Sequence, residues 1–204
     1  MLTTALSGFG FGSSLIVAIG AQNAYVMRQG LRREHVGVVV AICALSDVIL
    51  ISLGTAGVGA VIAAHSVVLA TVTVLGSAVL LWYAVAALRR ALHPEAMVAD
   101  GAGEPARLVP VALAALAFTW LNPHVYLDTL VLLGSIASTY PAPWVFALGA
   151  MAASILWFSA LGFGARVLRP LFARPVAWRV FDLCVAAVMV SVAAGLLLSL
   201  RTLS

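Results

Sequence analysis

Three ionisable side chains fall inside long apolar stretches of this sequence, where charge is costly. They are Asp47, His124 and Asp128. On insertion scales, an ionisable residue at the middle of a membrane-embedded helix costs about 2.5–3.5 kcal/mol, so each predicts a specific role. A carboxylate in such surroundings can bind a cation or a proton, and a histidine can titrate near neutral pH. Each could instead serve structure alone, the carboxylates by pairing with polar groups on other helices and the histidine by bonding a freed carbonyl.

A second set of polar side chains lies beside two predicted interruptions of helix. Gln22 and Asn23 lie late in the first apolar stretch, and Asn122 precedes Pro123 in the fourth. The proline lacks a backbone donor and disfavours helix at the residue before it. These amides either satisfy backbone groups freed by irregular geometry or contact a polar ligand directly. A discontinuous helix allows both, because its exposed N–H groups bind anions.

Together these groups predict a ligand that carries both signs of charge. Two carboxylates with no arginine at comparable depth would make a cavity that prefers a cation. The amides beside a helix break offer a place for a carboxylate. A small zwitterion with one extra positive charge fits this description, and lysine and arginine are such molecules. Protons, metal ions and polyamines are not excluded by these residues alone.

Composition identifies the elements that must position these residues. Of the 204 residues, 64% are apolar and 9% are charged. An average soluble domain is roughly 45–50% apolar and about 25% charged. A soluble enzyme, a nucleic-acid-binding module and a disordered segment are therefore excluded. At about 20 residues per span, the sequence predicts an all-α integral membrane protein, with a single transmembrane domain over residues 1–204.

Six apolar stretches are predicted as the spans. They are Leu2–Met27, Val36–Ala63, Val67–Leu88, Leu108–Ala137, Trp144–Val167 and Val176–Leu200. The first, third and fifth connections carry three, three and four of the 11 arginines, whereas the second and fourth carry none. The positive-inside rule predicts that the arginine-rich connections are cytoplasmic, which places both termini outside with six spans. A re-entrant first segment would give five spans and a cytoplasmic N-terminus.

The predicted spans divide into two halves of three. Residues 1–90 form the first three-helix repeat, residues 91–107 a cytoplasmic loop, and residues 108–204 the second repeat. Because three is odd, the second half enters the membrane from the opposite side. That inverted-repeat arrangement is common in secondary transporters, whose sites lie between the halves.

Two further features predict helix packing. Asp182 follows Arg179 by three residues, a spacing that predicts an ion pair on one helix face at the membrane interface. Glycines are concentrated within residues 8–12 and 54–59 and predict close approach of helices. Such glycine-rich faces would permit a homodimer.

Four segments carry a resemblance to a known family. They read Ile19-Gly20-Ala21-Gln22-Asn23-Ala24-Tyr25-Val26-Met27-Arg28-Gln29-Gly30, Ser46-Asp47, Leu81-Trp82-Tyr83 and Thr119-Trp120-Leu121-Asn122-Pro123-His124-Val125-Tyr126-Leu127-Asp128-Thr129. In order and spacing, over essentially the whole chain, they resemble the signatures of the lysine/arginine exporter family, within the LysE superfamily of amino acid exporters. Members commonly have Gly-Pro-Gln-Asn where this chain has Gly20-Ala21-Gln22-Asn23. That departure leaves open how sharply the first stretch is broken.

The resemblance implies an exporter of L-lysine, L-arginine or both in the bacterial inner membrane, with no enzymatic activity. The candidate substrate-binding residues are Gln22, Asn23, Asp47, Asn122, Pro123, His124, Tyr126 and Asp128. Asp47 and Asp128 are also the candidates for proton coupling. Moving a cation out against an inside-negative potential costs about 2.3 kcal/mol per 100 mV, so inward protons are the expected counter-ions. The expected mechanism is antiport with alternating access, with no cofactor, no resident metal and no nucleic-acid partner.

Several alternatives remain at this point. An exporter of neutral amino acids or of divalent metal ions could share the same superfamily. A metal ion would use Asp47, Asp128 and His124 as ligands. A channel is separated from a carrier only by saturable counterflow. An intramembrane enzyme is poorly supported, because the sequence contains no H-E-x-x-H, G-x-S-x-G or Gly-x-Gly-Asp motif.

Overall fold

The computed structural model describes residues 1–17, 20–58, 66–92, 106–122, 125–168, 170, 172 and 174–200, and every regular element in these ranges is a helix. The helices are α1 (Leu2–Ile16), α2 (Ala21–Arg32), α3 (Val36–Thr55), α4 (Ser66–Leu92), α5 (Leu108–Trp120), α6 (Tyr126–Ser138), α7 (Pro143–Gly164) and α8 (Pro175–Leu200). Helix α6 begins as a π-helix, Tyr126–Leu132, and continues as an α-helix, Leu133–Ser138. Within the described residues, each of the six predicted apolar stretches overlaps one helix or two successive helices.

Four of the described helices, α3, α4, α7 and α8, are long and apolar enough to cross a membrane. Helices α1 and α2 would together make a fifth span, with 84° between their axes. Helix α5 has only 13 residues, about 20 Å of helix, against a hydrocarbon core of about 30 Å. The chain is therefore a multi-pass helical membrane protein, and its fourth predicted stretch contains two short helices, α5 and α6.

The ends of α3 and α2 differ most from the predicted ones. Helix α3 ends at Thr55 rather than at Ala63, because Gly57 adopts a φ of 90° and its N–H donates to the Gly54 carbonyl at 3.0 Å. Helix α2 continues past Met27 to Arg32. The polar residues after Met27, which predicted the end of the helix, are buried within it: Arg28 is 8% exposed and Gln29 is 6% exposed.

Small residues let two pairs of helices approach closely. Helix α4 packs along α8 through buried alanines that include Ala87 and Ala193. Helix α1 packs along α7, where a Cβ on Gly8 would collide with the Phe146 carbonyl and one on Gly12 would lie 2.9 Å from Ala150 Cα. Gly8 and Gly12 therefore have the packing role that the sequence predicts.

The arginine-rich connections meet at one end of the bundle. The ring nitrogen Nε2 of His35, in the first of these connections, lies 2.7 Å from the Ala106 carbonyl oxygen in the third. Arg28, at the start of the first predicted connection, lies over the ring of Trp178, which follows the fifth, at 5.7 Å from the ring centroid. The shared location agrees with the prediction that these connections face the same side of the membrane.

Candidate functional site

The first apolar stretch is broken between α1 and α2 although no proline is present. Gly20 precedes α2 in an extended conformation, with φ of −114° and ψ of 178°, and no side chain caps the helix. Asn23 holds the two helices together, because its Nδ2 donates to the Ile16 carbonyl at 2.8 Å. The amide thus satisfies a carbonyl at the end of α1 that has no partner within its own helix. The structure therefore answers how this stretch is broken: by an extended glycine and an amide clamp.

A cavity of about 250 Å³ lies beside this break. Its walls come from α1, α2, α3, α6, α7 and α8, together with the segment between α5 and α6. The lining residues are Leu15, Ile16, Gly20, Ala21, Gln22, Asn23, Asp47, Asn122, Val125, Asp128, Thr129, Phe158 and Val192. Five of the predicted site residues, from four separate parts of the sequence, therefore share one cavity. The described lining residues include two acidic side chains and no basic one.

Asp47 lies in the wall of the cavity on α3 and is almost completely buried, at 3% exposure. Ser154 on α7 is fully buried beside it and donates from Oγ to Asp47 Oδ2 at 2.7 Å. No arginine forms an ion pair with Asp47 in the part of the chain that the structure describes. The carboxylate is therefore held by a hydroxyl dipole and not by a counter-ion.

Asp128 reaches the same cavity from the π-helical part of α6. Val125, Asp128 and Thr129 all line the cavity. The wider turn of a π-helix brings neighbouring residues onto one face, and such turns occur frequently at functional sites. Thr129 Oγ1 donates to the carbonyl of Val125, the residue that precedes the π-helix. Within the described residues, no group of three histidine, cysteine or acidic side chains is arranged to hold a metal ion.

The two amides of α2 are held differently. Asn23 accepts a hydrogen bond from Trp157 Nε1 at 3.2 Å in addition to donating to Ile16. Gln22 lines the cavity, and its Nε2 is buried without a hydrogen-bond partner in the described part of the chain. Asn23 therefore fixes the helix break, while Gln22 places a buried amide donor in the cavity wall.

The second break, between α5 and α6, is also held by side chains. Tyr126 Oη donates to the Trp120 carbonyl at 2.7 Å, across the break. Trp120 Nε1 in turn donates to Ser46 Oγ at 3.0 Å, next to Asp47 on α3. Tyr126 is not among the residues that line the cavity, and its described contact is structural. The predicted site residues Pro123 and His124 lie outside the described residues.

Three α7 residues at the site were absent from the sequence predictions: Ser154, Trp157 and Phe158. They bond Asp47, bond Asn23 and line the cavity, respectively. A single serine in an apolar span is a weak signal, because serine also occurs at ordinary helix contacts. A comparison of the two halves carries more information. Ser154 is the twelfth residue of α7, and Asp47 is the twelfth residue of α3.

The prediction for Asp182 was wrong. Its partners are Arg28 on α2, at 2.5 Å, and Arg90 on α4, at 3.2 Å, and not the neighbouring Arg179. Arg179 is exposed, whereas Asp182 is completely buried. A buried carboxylate requires buried partners. The pairing of Asp182 is therefore determined by the neighbouring helices α2 and α4 and not by its neighbours along α8.

Comparison with known proteins extends this description to the whole chain. The family described as LysE type translocator matches residues 13–200. This chain belongs to the LysE-type translocator family. Family membership makes it a transporter and not an enzyme, with an amino acid as its small-molecule substrate. No solved structure matches it.

Curated relatives of this LysE-type translocator cover nearly its full length. "Putative amino-acid transporter Rv0488" of Mycobacterium tuberculosis and "Putative amino-acid transporter Mb0498" of Mycobacterium bovis are each 46% identical to it over 187 residues, which is 91% of this chain and 92% of the relative. "Lysine exporter LysE" of Corynebacterium diphtheriae is 38% identical over 228 residues, covering 97% of this chain and 100% of the relative.

Proposed function

We propose that this translocator exports L-lysine, L-arginine or both across the bacterial plasma membrane, by proton antiport with alternating access. The observation that carries the proposal is the cavity beside the α1–α2 break, whose described lining combines two carboxylates with amides and no basic side chain. The relative named as a lysine exporter supports the same substrate class.

The carboxylates are proposed to bind the cationic end of the substrate. Asp47 and Asp128 come from different helices and line the same cavity. A charged group in a largely apolar wall interacts more strongly with an opposite charge than it would in water. Two acidic side chains and no described basic one in the same cavity wall favour a substrate with an additional cation over a neutral amino acid.

The α-carboxylate of the substrate is proposed to lie at the beginning of α2. The first N–H groups of a helix have no partner within the helix, and no side chain caps α2. The Gln22 amide adds a buried donor, and Asn122 approaches from the second break. The partial positive charge of a helix N-terminus also favours an anion. The cavity would therefore receive a zwitterion in one orientation.

Asp47 is the proposed proton carrier. Export of a cation against an inside-negative membrane potential costs about 2.3 kcal/mol per 100 mV. At least one positive charge must therefore move inward for each substrate cation exported. With a single described hydroxyl donor and no described counter-ion, Asp47 can exchange a proton for a substrate cation without breaking an ion pair. Asp128 is a second candidate for this step.

The arrangement of helices supports two inverted repeats within this chain. In such a repeat the second span of each half, α3 and α7, would be equivalent, and they meet at residues of equal rank, Asp47 and Ser154. The third spans, α4 and α8, pack along each other. The first spans, α1–α2 and α5–α6, are both broken next to the cavity. The arginine-rich end of the bundle is proposed to be cytoplasmic.

The test is exchange of radiolabelled arginine in proteoliposomes, with unlabelled lysine, arginine, leucine, threonine and cadmium as competitors. We expect saturable exchange that only the basic amino acids inhibit. Inhibition by leucine or threonine would favour a neutral amino acid, and inhibition by cadmium would favour a metal ion. No exchange by folded, inserted protein would reject the proposal. Detergent-solubilised protein that elutes as a single species provides the folding control.

A further inference from the structure

The ion pairs of Asp182 join three helices at the arginine-rich end of the bundle. Asp182 Oδ1 on α8 accepts from Arg28 NH1 on α2 at 2.5 Å and from Arg90 NH2 on α4 at 3.2 Å. Asp182 is fully buried, and Arg28 is 8% exposed. Breaking one partner of a buried ion pair is strongly unfavourable, because the other charge then remains buried.

The two ion pairs connect different kinds of interface. Helices α4 and α8 pack along each other over much of their length, so Arg90 and Asp182 lie within one continuous helix pair. Arg28 reaches Asp182 from α2, which has few other contacts with α8. Arg28 also lies over the Trp178 ring of α8. Among the described residues, the Arg28–Asp182 pair is therefore the ion pair that joins α2 to the α4–α8 pair.

Aromatic side chains form a layer at the level of Tyr25, which lies on α2 between the cavity-lining residues and Arg28. The Tyr25 ring lies 5.8 Å from the Tyr83 ring and 5.2 Å from the Phe118 ring, and Tyr83 and Phe118 are 4.5 Å apart. Tyr25 is 4% exposed and donates from Oη to the Val111 carbonyl at 3.1 Å. Along α2, the order is cavity, aromatic layer and ion pair, within about 12 Å of helix.

We propose that the Arg28–Asp182 pair is the gate that closes the cavity on the arginine-rich side, with Arg90 positioning the Asp182 carboxylate. In this structure the gate is shut, and the aromatic layer of Tyr25, Tyr83 and Phe118 fills the path behind it. Opening separates α2 from the α4–α8 pair and breaks the Arg28–Asp182 contact, while the Arg90–Asp182 contact persists. The proposal takes its role in transport from the proposed function, but its test does not require transport.

The test measures access to the cavity with a cysteine reporter. Val192 lines the cavity on α8, and Val192→Cys is placed in a background in which the two native cysteines are replaced, Cys43→Ala and Cys184→Ser. A membrane-impermeant maleimide is applied to inside-out and to right-side-out vesicles. The labelling rate from each side reports which end of the cavity is open.

The decisive variant is Arg28→Gln, with Arg89→Gln as its matched control. Arg89 is exposed next to Arg90 at the same end of α4. We expect Arg28→Gln to increase labelling from the arginine-rich side by about tenfold, which requires the open conformation to gain only ~1.4 kcal/mol. Arg28→Lys should remain near the parent rate because it keeps the charge. Equal labelling rates for Arg28→Gln and Arg89→Gln would overturn the proposal.

A second measurement keeps the proposal testable if Arg28→Gln does not fold. Cysteines at Met27 and Trp178 join α2 to α8 through a cleavable bifunctional thiol reagent and leave Arg28, Arg90 and Asp182 in place. We expect the linked protein to lose labelling of a Val192→Cys reporter from the arginine-rich side, and cleavage to restore it. Unchanged labelling after linkage would show that α2 and α8 need not separate. Failure of arginine exchange with intact gating would reject the substrate proposal alone.

Discussion

Ser154 Oγ donates a 2.7 Å hydrogen bond to Asp47 Oδ2, and both residues are buried where α3 crosses α7. The bond fixes one carboxylate oxygen, and among the described residues no arginine pairs with this side chain. The contacts of this carboxylate and of the cavity around it can each be tested by substitution.

Replacing Ser154 should weaken substrate binding without removing the carboxylate. A hydrogen bond to a charged group contributes about 1.5–3 kcal/mol, so Ser154→Ala should raise the half-saturating arginine concentration by about tenfold or more. Ser154→Thr keeps a hydroxyl and should retain most of the affinity. Ser159→Ala, on the same helix and outside the cavity lining, is the control. An unchanged half-saturating concentration in Ser154→Ala would show that the bond is dispensable.

Asp47→Asn should abolish proton-coupled transport while the protein still inserts. The amide resembles the protonated acid in shape but cannot release a proton. The measurement is arginine efflux driven by an imposed pH gradient in proteoliposomes, with insertion checked by protease protection. Asp128→Asn in the same assay tests the second carboxylate. Full pH-driven efflux by Asp47→Asn would remove Asp47 from the mechanism.

Asn23→Leu should destabilise the protein, because it removes the clamp across the α1–α2 break. The Ile16 carbonyl and the Trp157 indole N–H would each lose a described partner. A buried polar group left without a partner costs about 1–3 kcal/mol, so the midpoint of thermal unfolding in detergent should fall. Trp157→Phe removes only one of the two bonds and should have the smaller effect. Equal stability of Asn23→Leu and the parent protein would contradict the clamp.

Gly54→Ala should change the shape of the cavity by forcing α3 and α6 apart. A Cβ at Gly54 would lie 2.7 Å from the Thr129 carbonyl and 2.8 Å from that of Leu130, which are backbone atoms of α6. Either α3 or α6 must shift, and Thr129 lines the cavity. We expect lower stability and loss of arginine exchange. Gly10→Ala, where a Cβ meets no atom within 4 Å, should leave both unchanged.

The positions of the helices could be predicted well because the bilayer interior favours apolar side chains along the whole of a span. Stretches of apolar residues between charged connections therefore identify the helices, even where α6 becomes π-helical. Ends are harder, as α3 shows. Its apolar composition continues to Ala63, but the positive φ of Gly57 stops the helix. Hydropathy contains no information about that dihedral angle.

The cavity could be predicted in part. Asp47 and Asp128 are conspicuous because a charge in an apolar stretch has a cost that something must offset. Ser154 carries no charge and offers no such signal until α7 is placed beside α3. The ion pair of Asp182 was predicted wrongly, because Arg179 lies three residues away, a spacing at which side chains on a helix can pair. Contacts between helices distant in sequence outweighed that rule.

The Arg28–Asp182 pair also has a consequence for how the protein is made. The two residues are 154 positions apart in the sequence. During synthesis, α2 is complete long before α8 leaves the ribosome, so Arg28 has no access to Asp182 while the intervening helices enter the bilayer. Its guanidinium must remain hydrated or near lipid headgroups until the last helix arrives. Assembly of this end of the bundle is therefore completed last, and a chain truncated before α8 would expose an uncompensated charge that cellular quality control could recognise.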